Sequence, residues 1–203
     1  RWVLNLAGQY YLESGAPEKA ATYLEKACVN SENECEIYIN YSEALFQSGD
    51  VEASLAVLKN IDNNSNALNQ MANIETRRGN LQEAITLYER AMAIDSFNPA
   101  IKENCASAYI EIDMVNRAEE ILAGLIDRNP SGRAYNLIGN IARIKGEPQR
   151  AESAYTEGIR AEPENHDLLL NLADLYIEKG DFGSAVDTLE KVPDGSEPER
   201  SAR

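Results

Sequence analysis

A single histidine, His166, stands in 203 residues, at the start of an apolar stretch and with no partner pattern around it. That excludes a multi-histidine metal site and weakens the case for Ser/His or Cys/His nucleophilic chemistry. Cysteine is nearly as scarce: Cys28, Cys35 and Cys105 form no CxxC pair and are odd in number. They read as small apolar core residues in a reducing, cytoplasmic setting. A Cys28–Cys35 bridge across one turn is conceivable but not expected. No apolar run approaches the ~20 residues that span a bilayer, and no basic, apolar leader opens the chain. Neither GxxxxGK[ST] nor GxGxxG occurs, so no phosphate-cradling loop is present. Cations are also short, 19 Lys+Arg against 34 Asp+Glu, for a net charge of −15. Such a balance repels phosphate backbones and anionic lipid, which excludes nucleic acid as a partner. No catalytic residue, metal or cofactor is expected.

What the chain does have is a rhythm. From Gly132 to Pro163 it reads GRAYNLIGNIARIKGEPQRAESAYTEGIRAEP, with small residues at Gly139, Ala151 and Gly158, large ones at Tyr135 and Tyr155, and a break at Gly146. Counting each unit from 1 to 34 puts that break at position 15. There Gly15, Gly49, Gly79, Asp113, Gly146 and Gly180 follow one another at steps of 34, 30, 34, 33 and 34. A tight turn that ends a helix often needs positive φ, which glycine adopts freely and Asp tolerates better than most residues. Small residues recur at position 8 (Gly8, Ser42, Ala72, Ala106, Gly139, Ala173) and at position 20 (Ala20, Ser54, Ala84, Ala118, Ala151, Ala185). They let two helices approach closely. Position 24 (Leu24, Leu58, Tyr88, Leu122, Tyr155, Leu189) fills the seam beside them, as do Tyr11, Leu45, Tyr109 and Tyr176 at position 11. Glu75 breaks the position 11 pattern, and Met71 and Ile74 are expected to cover it.

This period and pattern mark a helix–turn–helix repeat, and nearly all of the chain resembles the tetratricopeptide repeat (TPR) family. The resemblance implies an all-α, right-handed α-solenoid of about six TPR repeats and about twelve helices. One solenoid is expected over 1–192, with repeats at about 1–34, 35–64, 65–98, 99–131, 132–165 and 166–192. The short step from Gly49 to Gly79 predicts a shortened helix before the polar Asp62-Asn63-Asn64. Pro130 and Pro163 sit where one helix has ended and the next is about to start. Residues 193–203, PDGSEPERSAR, read as a disordered tail or linker. With no capping helix after Val192, the apolar Val186, Leu189 and Val192 are expected to be partly bare. The start at Arg1 without a Met leads us to expect a processed protein or a piece of a longer one.

In TPR folds the first helix of each repeat lines a concave groove, with positions 2, 5, 6, 9, 12 and 13 looking into it. Here those positions are crowded with amides: Asn69 and Asn136 at position 5, Asn40, Gln70, Asn104 and Asn171 at position 6, Asn73 and Asn140 at position 9. A primary amide carries donors and an acceptor, so it can pair with a backbone amide whatever the side chain. Some TPR superhelices that hold peptides use an asparagine ladder at position 6. Asn40, Asn104 and Asn171 match that ladder and Gln70 nearly does, whereas Leu6 and Leu137 depart from it. The alternative is that these amides face solvent or link adjacent helices. A two-carboxylate clamp for a peptide C-terminus fits less well. Asn73, Asn104 and Arg133 match its requirements, but Asn69 and Leu137 stand where cations are needed.

Charge is uneven along the chain. Arg128, Arg133, Arg143, Lys145, Arg150 and Arg160 cluster, opposed in that stretch by Glu147, Glu152 and Glu157. Arg133 and Arg143 are expected to face the groove with Arg77 near its rim, which suits a ligand with an acidic end over repeats three to five. Glu18, Glu25, Glu152 and Glu157 read as a solvated outer face. The expected function is a non-enzymatic scaffold that binds an extended peptide or a helix of a partner protein in its groove. Two alternatives stand beside it. One is a regulatory or sensory module of a larger signalling or enzymatic chain. The other is a self-assembling scaffold, a homo-oligomer formed through the uncapped last repeat.

Overall fold

The six residues at position 15 all occupy the left-handed backbone region. φ is 69° at Gly15, 91° at Gly49, 80° at Gly79, 60° at Asp113, 72° at Gly146 and 76° at Gly180. At the five glycines the turn is closed by the same pair of bonds. The glycine N–H returns to the carbonyl three residues back, and the next N–H reaches five back, as in Ala16 to Tyr11 at 2.8 Å and Glu147 to Ala142 at 2.8 Å. This paired closure ends one helix and starts the next within three or four residues.

The computed structural model describes residues 1–29, 34–126 and 131–192. The expected tail at 193–203, Arg128 and Pro130 lie outside the described residues. Among the described residues there are twelve helices: α1 Trp2–Glu13, α2 Pro17–Cys28, α3 Cys35–Gln47, α4 Val51–Lys59, α5 Ser65–Arg77, α6 Leu81–Ile94, α7 Pro99–Glu111, α8 Val115–Ile126, α9 Gly132–Ile144, α10 Pro148–Ala161, α11 His166–Glu178 and α12 Phe182–Leu189. No strand occurs among the described residues. Proline opens α2, α7 and α10, where its missing N–H is harmless. Side chains cap others: Ser131 accepts from Ala134 N at 2.9 Å, Asp50 from Ala53 N at 3.1 Å, and Asn64 from Ala67 N at 3.1 Å. The expected shortening falls on α4, nine residues against 12 in α2 and 14 in α6.

The helices gather into two compact units, Arg1–Ile112 with α1 to α7, and Asp113–Arg203 with α8 to α12. Within each, every helix packs on the next. In addition the odd helices touch their next-but-one neighbours: α1 on α3, α3 on α5 and α5 on α7 in the first unit, α9 on α11 in the second. Among the described residues the even helices make no such contact with one another. The odd layer is therefore the tighter, inner wall of each unit and the even layer its outer wall.

The small positions do what close approach demands. Ala20, Ser54, Ala84, Ala118 and Ala151 are fully buried, and so are Ser42, Ala72 and Ala106 opposite. Where both partners are serine, the hydroxyls satisfy each other: Ser42 and Ser54 share a buried hydrogen bond of 2.7 Å. Glu75 is buried at position 11 between buried Met71 and Ile74. Its carboxylate is answered by the Asn80 amide at 2.7 Å and the Arg78 guanidinium at 3.2 Å, which removes the cost of an unpaired buried charge. The three cysteines form no disulfide with one another; Cys105 is buried, whereas Cys28 and Cys35 are only half-buried, so the core reading holds fully for one of the three.

Candidate functional site

The amides on the inner wall of neighbouring odd helices are tied to one another. In the first unit, Asn40 Nδ2 on α3 donates to Asn5 Oδ1 on α1 at 3.0 Å. Asn104 Nδ2 on α7 donates to both Asn69 Oδ1 and Asn73 Oδ1 on α5, each at 3.1 Å. Gln70 on α5 donates to Glu43 on α3. In the second unit, Asn171 Nδ2 on α11 donates to Asn136 Oδ1 on α9 at 2.6 Å. One rule covers all four: the position 6 amide of a repeat reaches back to position 5 or 9 of the repeat before it. The structure thus shows the linking role weighed as the alternative for these residues. A primary amide has two N–H groups and an acceptor oxygen. Using one N–H on a neighbour fixes the plane of Asn40 or Asn171 and leaves it further hydrogen-bonding capacity.

The position 9 asparagines are held from behind. Tyr88 on α6 donates to Asn73 Oδ1 at 2.6 Å, and Tyr155 on α10 donates to Asn140 Oδ1 at 2.7 Å. Each hydroxyl comes from the outer layer and reaches a side chain of the inner one. The repeat pattern at position 24 points only to a packing role for these tyrosines. The signal was nonetheless there: Tyr at position 24 and Asn at position 9 coincide in repeats three and five and in no other repeat.

The basic stretch is largely neutralised. Arg143 pairs with Glu178; burial opposes its charge, but hydrogen bonds to Glu178 and then Tyr155 outweigh it and raise the guanidinium pKa above its ordinary value. Lys145 and Arg150 converge on Glu119, whose carboxyl is held below its ordinary range by hydrogen bonds first from Lys145 and then from Arg150. Arg160 pairs with Glu157. The opposing carboxylates therefore include Glu119 and Glu178, which come from the preceding and following repeats rather than from the basic stretch itself. Glu152 is corrected likewise. It is not simply solvated but accepts from Lys179 Nζ at 2.5 Å and Tyr176 Oη at 3.1 Å. Arg133 is exposed in the first turn of α9, and Arg77 stacks over the Phe46 ring at 4.9 Å. Asn140, Arg143, Ile144 and Glu178 line a cleft on the inner wall between α9 and α11.

Among the described residues no group of His, Cys, Asp and Glu is placed to hold a metal ion, and no helix is long and apolar enough to cross a membrane. A profile described as tetratricopeptide repeat matches residues 75–141 and 142–197. The chain belongs to the tetratricopeptide repeat family. TPR proteins are in general non-catalytic scaffolds that mediate protein–protein interaction. Curated relatives include BBSome complex member BBS4 of Bos taurus, 23% identical over 93% of this chain and 36% of its own length. Small glutamine-rich tetratricopeptide repeat-containing protein of Dictyostelium discoideum is 26% identical over 73% of this chain and 43% of its own. This TPR chain thus spans less than half the length of either. Among solved structures, MamA from Desulfovibrio magneticus RS-1 superposes with a TM-score of 0.66 at 20% identity, covering 78% of this chain and 93% of that one. YrrB, a TPR protein described as having an unusual peptide-binding site, gives 0.62 at 18% identity, covering 83% and 89%. At these identities the likeness is one of fold.

Proposed function

We propose that this chain is a non-enzymatic interaction scaffold that holds an extended segment of a partner protein against the inner wall of odd helices. On this reading six repeats over 1–192 form one solenoid, and the row Asn40, Asn69, Gln70, Asn73, Asn104, Asn136, Asn140 and Asn171 grips the partner's main chain, with Arg133 and Arg143 beside it. The observation that carries the reading is the set of tied amides. Hydrogen bonds to neighbours fix their planes before any ligand arrives, so little side-chain entropy is lost on binding. Neighbouring helices lie ~10 Å apart and an extended chain rises ~3.3 Å per residue, so one amide per repeat meets about every third residue of a bound strand. A relative named as a member of a complex and a structural neighbour named for its peptide-binding site are consistent with this.

The test is selection of peptides from a random library on the whole chain, followed by affinity measurement on Asn40→Ala and Asn171→Ala. The proposal expects each substitution to weaken binding about tenfold, the value of one net hydrogen bond of about 1.4 kcal/mol. Unchanged affinity in both, with the fold intact by circular dichroism, contradicts it.

A further inference from the structure

Position 12 of the repeat reads Leu12, Phe46, Thr76, Ile110, Arg143 and Ile177, so a charged side chain stands there once, in repeat five. Asn140 at position 9 and Tyr155 at position 24 belong to the same repeat, and the three side chains form one relay. A guanidinium only donates hydrogen bonds. Its bond with Tyr155 therefore ends on Oη as acceptor, and the tyrosine proton goes on to Asn140 Oδ1 at 2.7 Å. Arg143 thus fixes which way the amide faces. Asn140 turns its oxygen back towards the outer layer. Its NH2 group, which donates to no other described residue, is the end left for the cleft lined by Asn140, Arg143, Ile144 and Glu178.

Repeat three carries the same Tyr–Asn pair without the charge. Tyr88 donates to Asn73 Oδ1 at 2.6 Å, and Thr76 stands at position 12 with its hydroxyl 3.4 Å from Tyr88 Oη. The amide oxygen is taken up in both repeats, but the group at position 12 is neutral in one and a cation in the other. An amide NH2 beside a neutral hydroxyl suits a main-chain carbonyl. An amide NH2 beside a guanidinium suits a carboxylate, which accepts from both. The cleft already holds one carboxylate, that of Glu178 on α11, bonded to Arg143. The Glu178 side chain is 54% exposed against 26% for Arg143, so it is the looser partner, and an ion pair of that exposure contributes little. The cleft measures about 400 Å³, room for an acidic side chain, with Ile144 exposed at its edge to meet the methylene stem.

We propose that this cleft is a side-chain subsite of the inner wall. Arg143 and Asn140 together take the carboxylate of one Asp or Glu in a bound extended segment, and Glu178 holds the place of that carboxylate until the segment arrives. The inference rests on the groove reading above and adds, at one repeat, a side-chain requirement to a wall that otherwise meets main chain. With a net charge of −15 the chain as a whole repels acidic peptides, so a preference for an acidic residue has to come from a local site.

The experiment selects binders from a random synthetic library of C-terminally amidated peptides, on the whole chain and separately on Arg143→Gln. Amidation leaves side chains as the only source of a carboxylate. The proposal expects binders of the unsubstituted chain to share an Asp or Glu at one fixed place, and binders of Arg143→Gln to lack that preference. One selected peptide, made with its acidic residue and with Gln in its place, is then titrated on the unsubstituted chain, on Arg143→Gln and on Glu178→Gln. The exchange in the peptide should weaken binding to the unsubstituted chain about tenfold and binding to Arg143→Gln hardly at all. Glu178→Gln removes the competing carboxylate and should bind the acidic peptide about threefold tighter, a gain that a damaged fold does not give. Binders without an acidic preference, a preference that survives Arg143→Gln, or no gain in Glu178→Gln each overturn the proposal and leave the amide row standing. A library that yields no binder on any of the three proteins contradicts the groove reading itself, and the subsite with it.

Discussion

Tyr155 donates a 2.7 Å hydrogen bond to Asn140 from the opposite layer of the fold. It reaches that far because Gly139, the neighbour of Asn140, has no side chain: a methyl group there would collide with the Tyr155 ring. Packing at position 8 and presentation of an inner-wall amide at position 9 are thus one arrangement. Gly139→Ala should destabilise the second unit by about 1–3 kcal/mol through overpacking. Tyr155→Phe keeps the ring and loses only the hydroxyl, so about 1 kcal/mol is expected. Urea titration of both variants measures the difference, and equal costs would separate the two roles.

The inter-repeat amide bonds make a second prediction. Asn136 and Asn171 are joined at 2.6 Å. A double-mutant cycle on Asn136→Ala and Asn171→Ala should give a coupling energy of about 0.5–1.5 kcal/mol, since each single variant already removes the same bond. Additive costs would show that the two amides do not pair.

Glu119 gives a pH dependence. Its carboxyl is depressed by hydrogen bonds from Lys145 and Arg150. A group whose folded value lies below its unfolded one stabilises the fold above the unfolded value, and that contribution is lost as pH falls through the folded one. Glu119→Gln should therefore cost about 1 kcal/mol or less near neutral pH, given the partial exposure of all three partners. The gap from the unsubstituted chain should close on acidification through the carboxylate range, and it should narrow in salt. Urea midpoints at several pH values would show it.

Asp113 is the one non-glycine residue of positive φ among those described, at 60°. An L-residue in this region carries a steric cost that glycine avoids, and the greater freedom of glycine when unfolded offsets part of the gain. Asp113→Gly should raise stability by up to about 1 kcal/mol, and Asp113→Val should lower it by more than that, both read from thermal midpoints.

The helix boundaries were legible because the turn at position 15 has a backbone requirement that few residues meet, and Gly15 to Gly180 advertise it. The helix-on-helix seam was legible for a similar reason, since Ala20 or Ala151 leaves room that a larger residue would fill. The use of the amides was not legible. Asn40 satisfies the same pattern whether it faces a ligand or Asn5, because both roles ask only for a donor on the inner face. Charge misled for another reason. The partner of Lys145 is Glu119, 26 residues away, and a count along the chain does not see across the repeat. The pairing of position 14 lysine with position 21 glutamate one repeat earlier recurs at Lys179 and Glu152. A comparison of repeats rather than of neighbouring residues would have found it.

The central claim is that the inner wall recognises main chain more than side chain. The most direct measurement compares two scans of a peptide that the chain binds: replacement of each side chain by alanine, and methylation of each backbone nitrogen. The account predicts that most alanine replacements change affinity only slightly, while N-methylation at about every third residue lowers it tenfold or more, the loss of one hydrogen bond of about 1.4 kcal/mol. Large losses in the alanine scan with a flat N-methyl scan would contradict it.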